Sequence, residues 1–404
     1  NPYQQSSIGR TADLERATLA DAADWFRTHY GPNNAVLVLA GDIDAKTARP
    51  MVEKWFGRIP PGPTPARFVA TVPQRTQTTR QTFHDRIATT RLIRAWTVPG
   101  RLDPDQVPLS VALAVFADGP ASRLYQALVR DEKLAVSVSG GADGYEQAGI
   151  ASIAVDLAPD ADPANVERRI DALLAAFLRE GPTADEVGRV AMRAVSGTIF
   201  GLEKVGGFGG KGATLAEGML YAGDPGLWRR ELRAYAEATP ASVAAAARRW
   251  LGAGDHRLTL LPGDREALPD PPTAPRQVAT PPKPPAPWTA AAGPDADRSR
   301  PPAAGPALSF QLPPVERATL ANGMRLMVVP RPGLPVIRMA LLFPVGVAGD
   351  SIAKPGTEAL MLAMTDEGSN GRLGALDGPE IARRLERLGG AVSATASLDR
   401  TRFG

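Results

Sequence analysis

Between Leu268 and Pro314 the sequence holds 15 of its 39 prolines, few bulky apolar residues and no hydrophobic period. Proline fixes φ and donates no backbone hydrogen bond, so a run such as Pro281-Pro-Lys-Pro-Pro-Ala-Pro287 favours an extended path over a packed element. Residues 266–314 therefore read as a linker, and what lies on either side reads as separate folded bodies.

The 404 residues exceed one ordinary core, and the 44% apolar fraction is ample for several. No apolar run approaches the length of a membrane span, and no charged n-region precedes an apolar one at the N-terminus. The chain opens on Asn1 and stops at Thr401-Arg-Phe-Gly404 inside a strand-like pattern, as expected of an internal piece of something longer. Cysteine is absent, which removes disulfides and every thiolate-based metal, redox or nucleophilic site. The formal charge is only +3 and the arginines are scattered, so nucleic acid is not an expected partner.

Taken in order, the expected class is α+β. Residues 1–66 carry a helix capped by Thr18 with Asp21, a stop at Gly31-Pro32, a buried strand over Ala35-Val-Leu-Val-Leu-Ala40, and a second helix through Trp55 and Phe56. Residues 75–265 read as a complete unit. It has a strand through Leu92, Ile93 and Trp96, a helix near Leu109–Phe116 and another after Pro120, with Leu124 and Leu128 facing a core. A hairpin with Leu134, Val136 and Val138 against Ala151, Ile153, Val155 and Leu157 follows. Asp162-Pro163 opens an amphipathic helix ended by Gly181-Pro182, Thr183 with Glu186 caps the next, and Thr239-Pro240 opens a last helix before the strand Arg257–Leu261. In 315–404, Asn322-Gly323 predicts a type I′ hairpin, followed by a strand over Val336–Val345. Helices are expected from Thr357 to Met364 and from Pro379 to Leu388, the latter with Ile381, Leu385 and Leu388 on its buried face. The pattern Thr18, helix, strand, Gly41-Asp42 returns as Thr239, helix, strand, Gly263-Asp264. Asp118-Gly-Pro120 with Arg123-Leu124 returns as Asp377-Gly-Pro379 with Arg384-Leu385. The chain thus reads as the end of one unit, a whole unit, a linker and the start of a third.

Histidine is scarce. Only His29, His84 and His256 exist, and a zinc site within this chain would have to gather ligands from three distant segments. Gly206-Gly-Phe-Gly-Gly-Lys-Gly212 lacks the spacing of a phosphate loop, with Val205 and Gly212 where glycine and a hydroxyl are needed, and reads as a helix junction. Ser122 and Ser137 have no histidine placed to activate them.

Several stretches in this order resemble the insulinase/pitrilysin zinc peptidases: Asn1-Pro-Tyr with Ile8-Gly9, His29-Tyr-Gly-Pro-Asn-Asn-Ala35 into Gly41-Asp42, and Ser122-Arg-Leu-Tyr-Gln-Ala-Leu-Val-Arg130. Beyond the linker, Leu320-Ala-Asn-Gly-Met-Arg-Leu326, Lys354-Pro-Gly356, and Leu385-Glu-Arg-Leu-Gly-Gly-Ala391 with Asp399-Arg-Thr401 are similar as well. The resemblance implies repeated α+β units, each an antiparallel sheet packed with helices, in two halves joined by the proline-rich linker and closing around a peptide chamber. It implies a zinc endopeptidase whose H-x-x-E-H motif lies upstream of Asn1, so that zinc belongs to the intact parent and none is expected on this chain. Ala359-Leu-Met-Leu-Ala363 falls where H-x-x-E-H would stand in the third unit. Ala359, Leu362 and Ala363 can neither bind zinc nor take a proton, which makes that unit degenerate. Arg130 matches a family arginine and is the candidate for substrate contact, with a surface ion pair as the alternative. The partners implied are a peptide or unfolded polypeptide and the second half of the same chain or a homologous subunit, in the bacterial periplasm. A non-catalytic scaffold paired with an active subunit is the other reading.

Overall fold

The computed structural model describes residues 3, 9–65, 67, 69–73, 75–266, 299, 301, 313–333, 335–372 and 374–404. The proline-rich tract and most of the opening Asn1–Gly9 motif lie outside the described residues.

The central body is a five-stranded sheet with one face covered by helices. Its strands are β1 (Thr79–Asp85), β2 (Arg91–Pro99), β3 (Ala135–Gly144), β4 (Ala148–Leu157) and β5 (His256–Pro262), in the order β1-β5-β2-β4-β3. The pairs are antiparallel except β1 with β5, which run parallel from Thr79↔His256 to Asp85↔Pro262. Along β2 the buried residues Leu92, Arg94, Trp96 and Val98 alternate with half-buried Ile93, Ala95 and Thr97, the period-2 signature of a sheet with one covered face. On β4 the same face carries Ala151, Ile153, Val155 and Leu157.

The covering helices follow from their sequences. α4 (Gln106–Ala117) is apolar on all sides, and it is buried accordingly between β3 and its helical neighbours. α5 (Pro163–Glu180) starts with Asp162 accepting from the amides of Ala164 and Asn165, and it stops at Gly181, whose φ of 74° suits glycine. It buries Val166, Ile170, Leu174 and Phe177, with the Phe177 ring stacked 5.2 Å from Phe116 of α4. α6 (Ala184–Gly201) has the expected capping box of Thr183 and Glu186; α7 (Lys211–Ala222), α8 (Leu227–Ala236) and α9 (Pro240–Leu251) follow.

Two sequence expectations change here. The hairpin strand β3 does not alternate through Val136: a register shift between Ala135 and Ser137 turns Ala135 and Val138 inward and leaves Val136 exposed. The helix after Pro120 becomes a π-helical turn over Tyr125–Asp131, with Leu124 and Leu128 still fully buried.

The flanking segments are thinner. α1 (Thr11–Arg16), α2 (Leu19–His29) and α3 (Ala45–Phe56) bury no residue, although α2 has the full Thr18/Asp21 capping box. The expected strand over Ala35–Ala40 is not one. It makes no ladder among the described residues, and Val36, Leu37 and Leu39 are exposed, because a strand needs a partner to satisfy its backbone. Past the tract, β6 (Glu316–Thr319) and β7 (Arg325–Val328) form the expected hairpin, but its turn is not type I′. Gly323 has a φ of 83° and Asn322 has no positive φ, so the connection is a longer loop with a single left-handed residue. The strand expected over Val336–Val345 shortens to β8 (Leu341–Phe343). After α10 (Thr357–Ala363) come the paired strands β9 (Gly368–Gly371) and β10 (Gly374–Asp377). α11 (Gly378–Leu388) follows, and β11 (Ala394–Ala396) with β12 (Thr401–Phe403) completes the three-stranded order β11-β12-β8. α11 docks by Gly378, Pro379 and Glu386 rather than by its apolar stripe, and Leu388 is exposed.

Candidate functional site

The three candidate positions on α10 meet in an open groove of about 670 Å³. Its walls are Ala359, Leu362 and Ala363 from α10, Ile381 and Leu385 from α11, and Ala394, Thr395 and Ala396 from β11, with Val347, Thr365, Asp366 and Val392 at the margins. The apolar stripe of α11 that sequence periodicity assigns to a core faces this groove. Asp366 is the one titratable residue in the lining. Beside the groove, Glu358 accepts a hydrogen bond from the Thr401 hydroxyl and leaves its second carboxylate oxygen buried without a partner. Such a groove can hold apolar side chains, and β11 offers the outer edge of its three-stranded sheet to an extended chain. Among the described residues its lining pairs no acid with a base.

Arg130 sits in the π-helical turn at the rim of the central body. Its Nη1 donates to Glu367 Oε2 at 2.6 Å, next to Asp366 of the groove, and the carboxylate raises the guanidinium's affinity for its proton. The fold thus brings Arg130 to the same end of the C-terminal segment as the α10 positions. Gly378 lies against the same side chain, where a Cβ would stand 2.8 Å from Arg130 Nη2.

The histidines stay apart. His29 closes α2 with Nδ1 3.0 Å from the Trp25 carbonyl, the helix-end role its position suggested. His84 Nδ1 lies 2.5 Å from Glu266 Oε1, and His256 Nδ1 lies 2.9 Å from the Thr79 hydroxyl. Burial, assisted by the Arg75 charge, holds His256 below its ordinary value. Among the described residues no group of three His, Asp or Glu could hold a metal ion. The described residues do not fit zinc. Ser122 donates to the Gly119 carbonyl at 2.8 Å and Ser137 to Asp156 at 2.6 Å, so both hydroxyls serve local structure.

What sequence reading missed is a buried charge cluster beneath the sheet. Arg94, 5% exposed, points inward from β2. Its Nε meets Asp255 at 2.6 Å and its Nη2 meets Asp171 of α5 at 2.8 Å, while Nη1 is buried without a partner. Arg257 joins Asp255, Asp171 and Glu167. Burial pushes the Asp255 carboxyl up, but the Thr78 hydroxyl and the Arg94 guanidinium outweigh it and hold the group below its ordinary value. The signal was available: an arginine at an inward position of a strand demands acidic partners.

Residues 16–193 match the model of the peptidase M16 inactive domain. The chain is 24% identical over 138 residues to the zinc protease PqqE of Helicobacter pylori, a stretch covering 33% of this chain and 31% of that protein. Its fold is similar to a peptidase M16 inactive domain from Pseudomonas fluorescens, with a TM-score of 0.55 and 19% identity over 66% of this chain and 63% of that one. It is also similar to the periplasmic protease PqqL of Escherichia coli, with a TM-score of 0.51 and 16% identity over 98% of this chain and 45% of that one. The chain therefore spans about a third of the curated relative it matches. Residues 16–193 thus resemble the inactive domain of the M16, insulinase-type, peptidases, and the 404-residue sequence carries no H-x-x-E-H motif. Among the described residues no helix is long and apolar enough to cross a membrane.

Proposed function

We propose that this chain is the central, non-catalytic portion of a zinc-dependent endopeptidase that cleaves peptides inside a closed two-half chamber. The observation that carries the reading is the match of residues 16–193 to an inactive peptidase domain in a chain whose α10 presents alanine and leucine where the motif's ligands would stand. Residues 1–66 then form the end of a first unit, 75–265 a complete second unit, 266–314 the linker and 315–404 the start of a degenerate third. Zinc belongs to the first unit of the longer protein, the substrate is a peptide or unfolded polypeptide, and the compartment is the bacterial periplasm, in keeping with the relative from Escherichia coli. Within that protein the groove at Ala359, Leu362 and Ala363 would line the chamber and hold apolar side chains. The same groove favours a second reading, a substrate-binding scaffold paired with a catalytic subunit, because binding needs only the walls that are there.

Metal content separates the two. The longer protein containing this sequence is expected to hold about one zinc per chain, this 404-residue chain none, and chelation of the former to abolish peptide cleavage. Zinc in neither would sink the peptidase reading and leave the scaffold. Stoichiometric zinc in this chain would mean that its histidines assemble in a way the fold does not suggest.

A further inference from the structure

The contact between α6 and α11 is built on charged side chains. α6 presents Asp185, Arg189 and Arg193 one turn apart, and α11 answers with Glu386 and Arg387. Arg189 Nη1 donates to Glu386 Oε2, and the two residues are only 6% and 9% exposed. Around this pair the charges continue as a chain on both sides. Arg189 Nε meets Asp185 at 2.9 Å, Arg387 Nε meets the other oxygen of Asp185 at 2.9 Å, and Arg193 lies 3.6 Å from Glu386 and 2.6 Å from Asp118. The Arg387 and Arg189 guanidiniums hold the Asp185 carboxyl below its ordinary value. Two glycines bracket the contact. A Cβ on Gly389 would stand 2.6 Å from the Ser196 hydroxyl oxygen, and one on Gly378 would stand 2.8 Å from the tip of the Arg130 side chain, so α11 meets the central body at both ends, most tightly at Gly389.

The apolar stripe of α11 faces the groove, so hydrophobic burial does little at this contact. We propose that α6 and α11 form a keyed docking surface in which the buried Arg189–Glu386 pair, bracketed by Gly378 and Gly389, selects a single orientation of the C-terminal segment on the central body. A buried ion pair is a poor source of net stability but a strong penalty on misalignment. Any register that separates its members leaves an uncompensated charge out of water. The outer pair, Arg387–Asp185, is half exposed and screened, and adds little selection.

The chain has no cysteine, so two introduced ones report on orientation cleanly. Spin labels at Arg179→Cys on α5 and Ile352→Cys in the C-terminal segment, both exposed positions, are expected to give one narrow distance distribution in the full chain. Glu386→Gln should broaden it into several distances and speed amide exchange of α11 about a hundredfold, while β2 and β4 exchange as before. Arg387→Gln should leave both readouts near those of the parent. Arg189→Met tests the key from the other side, and exchange of β2 and β4 tells whether the central body has kept its fold. If it has not, Glu386→Gln alone decides. A distribution in Glu386→Gln as narrow as the parent's overturns the proposal, as does an already broad parent or an equal effect from Arg387→Gln.

Discussion

α2 and α5 are alike in sequence design and opposite in outcome. Each has a side-chain cap at its N-terminus and an apolar stripe at helical spacing, yet α5 buries Val166, Ile170, Leu174 and Phe177 and α2 buries nothing, with Trp25, Phe26 and Tyr30 exposed. What differs is the other layer. α5 lies against a five-stranded sheet, whereas no sheet meets α2 or α3 among the described residues. Local rules form a helix and choose which face it would bury; only a second layer turns that choice into a core.

The comparison breaks most sharply at the aromatic residues. Phe177→Ala removes a ring 1% exposed and stacked on Phe116, and is expected to cost about 3–5 kcal/mol of unfolding free energy. Trp55→Ala on α3, at 67% exposure, should stay within about 0.5 kcal/mol. Denaturant titration of the two variants checks this. A loss of several kcal/mol at Trp55 would mean that α3 belongs to a packed layer after all. Next in size is Asp255→Asn, which withdraws the shared carboxylate from Arg94 and Arg257 and should cost about 2–4 kcal/mol. If Asn were tolerated there, the cluster beneath the sheet would be incidental.

The central body was the legible part because its signals were complete. Strands with period 2, a capping box at Thr183, a helix start at Thr239-Pro240, and glycine or proline stops at Gly181-Pro182 all agree with one fold. The misses have local causes. Ala35–Ala40 has strand composition, but composition does not supply a partner strand. Val136 fell on the wrong side because one inserted residue inverts alternation, and a bulge leaves no mark in periodicity. On α11 periodicity found the apolar stripe and missed that docking uses the opposite, charged face, since Glu386 is buried by an arginine nearly two hundred residues away in sequence. The groove was half legible: Ala359, Leu362 and Ala363 were singled out through a family pattern, and their meeting with β11 is a fact of the fold.

Acid should weaken the central body, and the sign of its shifts gives the direction. The carboxyls of Asp255, Glu186 and Asp156 are all held below their ordinary values. For Asp255 and Glu186 burial opposes the lowering and is outweighed by hydrogen bonds and arginines; for Asp156 the Arg91 bond leads. A depressed carboxyl contributes stability that is fully present above its unfolded value, 3.8 for Asp and 4.5 for Glu, and lost as pH falls through its folded value. His256 has the same sign: lowered mainly by burial, it contributes above 6.5 and loses that contribution as pH falls through its folded value. The denaturation midpoint of the central body should therefore slope gently downward below pH 6.5 and steeply below 4.5. A midpoint that stays level down to pH 3 would remove these networks from the account of its stability.

The smallest expected effect is at Arg130, the residue that joins the two regions at the groove. Its side chain is 32% exposed and that of Glu367 53%, so the 2.6 Å pair is largely solvated and should be worth about 0.5 kcal/mol or less. Arg130→Ala is thus predicted to leave the denaturation midpoint nearly unchanged. If the arginine instead holds a peptide carboxylate or carbonyl, the loss appears in peptide affinity of the longer protein, and Arg130→Lys shares it, because lysine keeps the charge but not the planar fork. Gly378→Ala offers an independent probe from the other segment: its methyl would displace Arg130 without touching its charge. Matching losses of affinity in Arg130→Ala and Gly378→Ala, with stability intact, would make position rather than charge the property that matters. A stability loss above about 2 kcal/mol in Arg130→Ala exceeds what a solvated pair supplies and would move this contact from the rim to the core of the junction.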